Sequence, residues 1–255
     1  MPSLSSFLNE HATLYEKEDA MYELFNRIQI RVSEILIFGP CNSKAAQNAS
    51  NVYYANQQKQ QHFRLSPYTA DECKALPAVI ANTLCPRAEN KQKLLSAQEH
   101  FEQFFTNGYV YGTGTCEVFS IIGAYILATE FDFELSIETI YSHQSHTYIR
   151  LHTEPECIFD FWAIMMCRYN DTVSWNEFFG EQFIRNTEAV YKTDLILTSQ
   201  QLIEMGQRVI IPHNKALRTI IHTSVLERVE NVLKQVDNLV EQEPLADDTI
   251  LVFQG

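Results

Sequence analysis

The chain has 255 residues, of which 45% are apolar, and a formal net charge of −13. That much apolar content builds a sizeable core and excludes a disordered or fibrous chain, while the acidic excess argues against a general nucleic-acid binder and toward a basic or neutral partner surface. No stretch approaches the ~20 apolar residues of a membrane span, and Met1-Pro2-Ser3-Leu4-Ser5-Ser6 lacks the basic and apolar regions of a signal peptide, so Sec export is not expected.

From Asn9 to Phe38 apolar residues recur near helical spacing (Leu14, Met21, Leu24, Phe25, Ile28, Val32, Ile35), which predicts one long or two shorter helices stopped by Gly39-Pro40. Cys41 to Pro67 is rich in Gln and Asn and reads as a loop or a weak helix. Thr69 to Glu72 offers an N-cap for a helix that Pro77 should interrupt. A further helix is predicted from Glu89 to Thr106, with Leu94, Leu95, Phe101, Phe104 and Phe105 as its stripe and Asn107-Gly108 as its stop. Cysteines at 41, 73, 85, 116, 157 and 167 lack the regular spacing of a disulfide scaffold, so they read as reduced thiols in a cytosolic compartment.

Tyr111 to Trp162 carries the chemistry. Gly112 and Gly114 permit a sharp turn that delivers Cys116 to the start of an apolar helix, where the dipole and the unpaired N–H groups favour a thiolate. The Cys116 N–H would face the same pocket as its sulfur and supply half of an oxyanion hole. Glu134 to Ser142 alternates as a strand, Ser142 to Ser145 gives turn chemistry, and the return strand puts His146, Tyr148 and Arg150 on one face with Thr147, Ile149 and Leu151 on the other. A third strand, Cys157 to Trp162, can set Asp160 beside His146, where a carboxylate would hold the imidazole tautomer. His143 is the rival base but falls in the turn. Neither CxxC nor HExxH accompanies these residues, so no metal and no cofactor is expected. Asn107, Tyr109 and Tyr111 are placed to line the mouth of the site, and Tyr148 and Trp162 complete the candidate substrate-binding set.

A cysteine on a helix start, a histidine opening a strand and an aspartate on the next strand, as Cys116, His146 and Asp160 stand here, resemble the transglutaminase-like core of the papain-like cysteine enzymes. The resemblance covers about a fifth of the chain. Tyr148 stands where members often carry Trp, and Phe161 where many carry Pro, which leaves the subfamily open. It implies a Cys-His-Asp triad, an antiparallel sheet packed on the central Cys-bearing helix, and acyl transfer through a thioester: proteolysis or deamidation first, transglutaminase or N-acetyltransferase chemistry as alternatives. The composition, low in Gly and Pro with many Gln and Asn, is similar to that of effectors of intracellular bacteria. Such a protein would act on a protein or peptide in the cytoplasm, or in a host cytosol reached without a Sec signal.

Beyond Trp162, Ser174 to Asn186 reads as a capped helix, Leu195 to Leu197 as a short strand, Ser199 to Met205 as a helical turn or two ended by Gly206, and Val209 to Ile211 as a strand closed by Pro212. Asn214 to Val240 carries the longest helical period, a surface for the domain or for a protein partner. The tail from Glu241 is acidic. The prediction is therefore one α+β domain over 1–255: a helical part at 1–107, a catalytic core at 108–165 and a mainly helical part at 166–255. A non-catalytic scaffold that binds a partner through the 214–240 helix or the Gln-rich stretch within Cys41 to Pro67 is the competing class.

Overall fold

The computed structural model describes residues 1–40, 96–141, 145–180 and 183–242, with side chains through 227. The expectations for Cys41 to Pro67, Thr69 to Pro77 and the acidic tail lie outside the described residues.

The N-terminal helical period resolves into α1 (Leu4–Asn9) and α2 (Leu14–Ile35). The break between them follows from local chemistry, because Thr13 and Glu16 form a reciprocal capping box that starts α2 afresh. Met21, Leu24, Phe25, Ile28 and Val32 make its buried stripe. The next described helix, α3 (Ala97–Tyr111), opens on a second such box, Ser96 with Glu99. It runs through the predicted stop at Asn107-Gly108. Gly108 lies inside the helix because α4 (Cys116–Ala128) and α2 crowd it: a Cβ there would meet Val118 Cγ1 at 2.2 Å and Ile122 Cδ1 at 2.9 Å. The glycine is a contact device between helices, and the true stop is Gly112, left-handed at φ +71°.

A five-stranded sheet follows, antiparallel throughout: β1 (Glu134–Tyr141), β2 (Ser145–Leu151), β3 (Cys157–Asp160), β4 (Met165–Arg168) and β5 (Val190–Thr198), in the order β4-β3-β2-β1-β5. Ile137 pairs with Ile149 and Ile149 with Phe159, so these side chains share one face, which packs on α2 and the apolar α4. The opposite face carries Ile140, Tyr148 and Ile158 against α5 (Thr172–Phe179). Burial on both faces explains why β1 to β3 hold few exposed residues.

Five predicted elements are corrected. The third strand stops at Asp160 rather than Trp162, and the chain turns through Phe161–Ile164 into β4, a strand the sequence did not announce because this turn has no Gly, Asn or Asp within it. Ile164 takes the left-handed φ of 57° instead. The Ser174 helix is capped by Asp171 and ends before Gly180, short of Asn186. The strand expected at Leu195–Leu197 extends over Val190–Thr198. The helix α6 (Ser199–Val209) passes through Gly206, where the Tyr125 ring leaves no room for a side chain, and the strand expected at Val209–Ile211 is absent: Val209 closes α6 and Pro212 opens α7 (Pro212–Gln242). Among the described residues no helix is long and apolar enough to cross a membrane.

Candidate active site

The turn between α3 and α4 presents Cys116. Gly112 N–H bonds back to Gly108 at 2.8 Å, Phe38 N–H donates to the Gly112 carbonyl at 2.8 Å, and the Thr113 hydroxyl donates to Gly39 at 2.7 Å. The turn is thus strapped to the end of α2. Thr115 is extended and opens α4 without a side-chain cap, which leaves the first N–H groups of the helix free of one. Ser120, one turn on, donates to the Thr147 carbonyl at 3.3 Å and docks α4 on β2.

Cys116 is buried, and its thiol bonds to the Glu117 carboxylate with sulfur and oxygen 3.4 Å apart. Burial, then the Glu117 charge, push this thiol well above the usual thiol range; the backbone N–H of Thr147 works the other way and does not offset them. Burial and the Glu117 charge both oppose the thiolate expected at the helix terminus. The helix dipole is worth about 0.3–1 kcal/mol at an exposed site, too little to outweigh desolvation beside a carboxylate. Among the described residues no hydrogen bond joins Cys116 Sγ to His146: the face of β2 that meets α4 carries Thr147 and Ile149, whereas the His146 ring lies with Tyr148 on the opposite face, among Trp162, Phe179 and Phe183.

His146 and Asp160 are brought together. Nε2 of the imidazole bonds to Oδ2 of the carboxylate, and both residues are almost fully buried at 2% and 1% exposure. Because a carboxylate only accepts, Nε2 carries the proton and Nδ1 is the nitrogen left to act as a base. The second Asp160 oxygen, Oδ1, accepts the Ala163 N–H at 3.0 Å and holds the β3–β4 turn. One carboxylate therefore fixes both the imidazole and the turn that follows it. Aromatic rings wall the imidazole: Phe183 at 4.9 Å between centroids, Phe179 at 5.0 Å and Trp162 at 5.2 Å.

The remaining candidates scatter. Trp162 stands on His146. Tyr148 is fully buried, with its hydroxyl on Glu138 at 3.1 Å and its ring on Trp175. Tyr111 is buried, Asn107 is half-buried in α3, and the Tyr109 ring lies 5.1 Å from the Arg218 guanidinium of α7. His143 lies outside the described residues. Among those described, no group of three or more His, Cys, Asp or Glu side chains could hold a metal, and Cys116, Cys157 and Cys167 are free thiols. Sequence reasoning missed Glu117 and the Phe179–Phe183 wall. Glu117 was visible as an acid beside the thiol in the first helical turn; the wall comes from Phe179, at the end of α5, and from Phe183, whose approach to His146 leaves no periodic trace.

Comparisons with protein-family models, with curated proteins and with solved structures found no match.

Proposed function

We propose that this chain is a cysteine-dependent acyl-transfer enzyme acting on a carboxamide, as a protease or deamidase, within a papain-like, transglutaminase-like core. Cys116 is the nucleophile, His146 the base and Asp160 its positioning residue. The observation that carries the reading is the buried His146–Asp160 hydrogen bond at the sheet end where the N-terminus of α4 docks.

The neutral thiol shapes the mechanism. Sulfur attacks the carbonyl carbon while His146 Nδ1 takes the thiol proton, so proton transfer accompanies attack instead of preceding it. Helix N-terminal N–H groups, including that of Cys116, stabilise the oxyanion. The C–N bond then breaks, the imidazolium returns the proton to the leaving nitrogen, and water activated by Nδ1 resolves the thioester. An amine in place of water gives transglutaminase or acetyl-transfer chemistry. A protein or peptide is the substrate class, and the buried free thiols support a reducing cytosol as its setting.

One observation favours the competing scaffold reading, in which α7 binds a partner without turnover: the thiol is buried and bonded to Glu117 rather than to His146. Incubation with a proteome-derived peptide library, read by mass spectrometry for cleavage and by ammonia release for deamidation, separates the two. The enzyme reading expects product from the wild type and none from Cys116→Ala. Product that persists in Cys116→Ala removes the thiol mechanism, and a folded wild type without product on the whole library leaves the scaffold.

A further inference from the structure

At the other end of the sheet face that bears His146, three side chains stand in a relay. Ser136 Oγ lies 2.7 Å from His152 Nε2, and His152 Nδ1 lies 3.4 Å from Glu156 Oε1. Strand alternation accounts for the placement. Leu135 and Ile137 point into the core, so Ser136 shares the opposite face with Glu138. His152 directly follows β2, and Glu156 closes the turn before β3.

The arrangement has the order of roles that activates an alcohol. Glu156 accepts from Arg150 Nη2 at 2.8 Å, while Arg150 Nη1 reaches Glu138 at 3.2 Å. Burial opposes the ionised form of Glu156, but the bonds from Arg150 and His152 outweigh it and hold the carboxyl below its ordinary value. An ionised carboxylate takes the Nδ1 proton, which leaves Nε2 to accept from the Ser136 hydroxyl. Two neighbours extend the site. Arg150 is the β2 partner of Ser136, and its Nε is buried with no acceptor among the described residues. Ile196 is the β5 partner of Ser136 and is 55% exposed, an apolar surface on the neighbouring strand, while Ser136 itself is buried at 3% exposure.

We infer that Ser136, His152 and Glu156 form a second, serine-based hydrolytic site for small carboxylic esters with an apolar acyl group, independent of Cys116. Ser136 Oγ attacks the ester carbonyl as His152 Nε2 takes its proton. Arg150 Nε–H supplies a donor to the oxyanion. The C–O bond to the alcohol breaks, with the proton returned to the departing oxygen. Water then attacks the acyl-serine, again losing a proton to His152; the acyl bond to Oγ breaks, the acid leaves, and His152 returns the proton to restore the Ser136 hydroxyl. Ile196 holds the acyl chain. The site differs from the Cys116 proposal in nucleophile, base and position, so either can fail without the other.

A small alkyl fluorophosphonate tests it on the full chain, because the reagent needs an activated serine and loses fluoride when the oxygen attacks phosphorus. Peptide mapping should find the adduct on Ser136. His152→Gln, at a residue whose side chain is 32% exposed, should slow its formation about 100-fold, the lower end of what a positioned general base contributes. In a Cys116→Ala background, Ser136→Ala should abolish hydrolysis of p-nitrophenyl acetate above the buffer rate. A folded wild type that gives no Ser136 adduct under conditions that label a control serine hydrolase overturns the proposal, as does an adduct formed within tenfold of the wild-type rate in folded His152→Gln.

Discussion

The two ends of one sheet face pair a histidine with a carboxylate in opposite surroundings. His146 and Asp160 are buried behind Trp162, Phe179 and Phe183, whereas His152 and Glu156 are 32% and 37% exposed. Six residues of β2 and its exit separate the imidazoles, roughly 20 Å at ~3.3 Å per residue. At the buried end the pair is tight but the nearby thiol bonds elsewhere; at the other end the nucleophile Ser136, itself buried at 3% exposure, is already on its half-exposed base. Burial strengthens a hydrogen bond to a carboxylate and its structural role, and it also suppresses ionisation of a neighbouring nucleophile. Rigidity and nucleophile activation are thus separated along one strand.

Asp160→Ala should break this contrast most strongly. It leaves His146 buried without its carboxylate and the Ala163 N–H without an acceptor, so urea unfolding should report a loss of about 3–5 kcal/mol. Glu156→Ala, at the open end, should cost at most about 1 kcal/mol. Similar losses at the two ends would contradict the assigned difference in burial.

Next in size is the thiol. Because burial and Glu117 raise it far above neutrality, alkylation of Cys116 in His146→Gln, where no imidazole takes the proton, should climb about tenfold per pH unit from pH 6 to 9 without a plateau. Glu117→Gln removes the adjacent charge and should quicken alkylation at pH 7.5 several-fold, up to about tenfold. A plateau below pH 7 in that variant would mean that the thiolate is already formed.

A smaller effect sharpens the role of Asp160 in its turn. Ile164 is exposed, β-branched and held at φ 57°, a conformation that costs about 1–2 kcal/mol for such a residue. Ile164→Gly relieves it at the expense of chain entropy and should raise stability by about 0.5–1 kcal/mol, read from the urea midpoint. Destabilisation would show that the isoleucine side chain holds the turn.

The smallest effect is a pH dependence at the open end. Glu156 has a folded pKa below its unfolded value, so its contribution is present above the unfolded carboxyl range near 4.5 and is lost as pH falls through the lower folded value. Exposure keeps it under about 1 kcal/mol. The difference in stability between wild type and Glu156→Gln should therefore shrink on acidification from pH 6 to 3; a difference that grows would reverse the sign of the linkage.

Much of the core was legible because its signals are local. Glu134–Tyr141 and the strand after it announced themselves by alternation, and the face shared by His146, Tyr148 and Arg150 followed from a period of two. The apolar helix from Cys116 was legible for the same reason. Gly108 and Gly206 misled because a glycine reads as a stop when only the sequence is in view, whereas Val118 and Tyr125, distant in the chain, make it a point of close helix contact. The β3–β4 turn was illegible because Asp160 and the strained Ile164 replace the usual turn residues. At the candidate site the His146–Asp160 pairing followed from adjacent strands, but the state of Cys116 depends on burial and on the direction of the Glu117 side chain. Neither is written in residue spacing. The Ser136–His152–Glu156 relay was missed because a serine between two core residues is indistinguishable from an ordinary strand position.

The central claim is that His146 acts on Cys116. The direct measurement is the rate of Cys116 alkylation by iodoacetamide at pH 7.5, followed by peptide mapping in the wild type and in His146→Gln, where the amide can still donate to Asp160 and preserve the fold. Since the thiol is neutral at that pH and needs a base, the rate in His146→Gln should fall about 100-fold. Equal rates in the two folded proteins, within a factor of two, would contradict the claim and detach the buried histidine from the thiol.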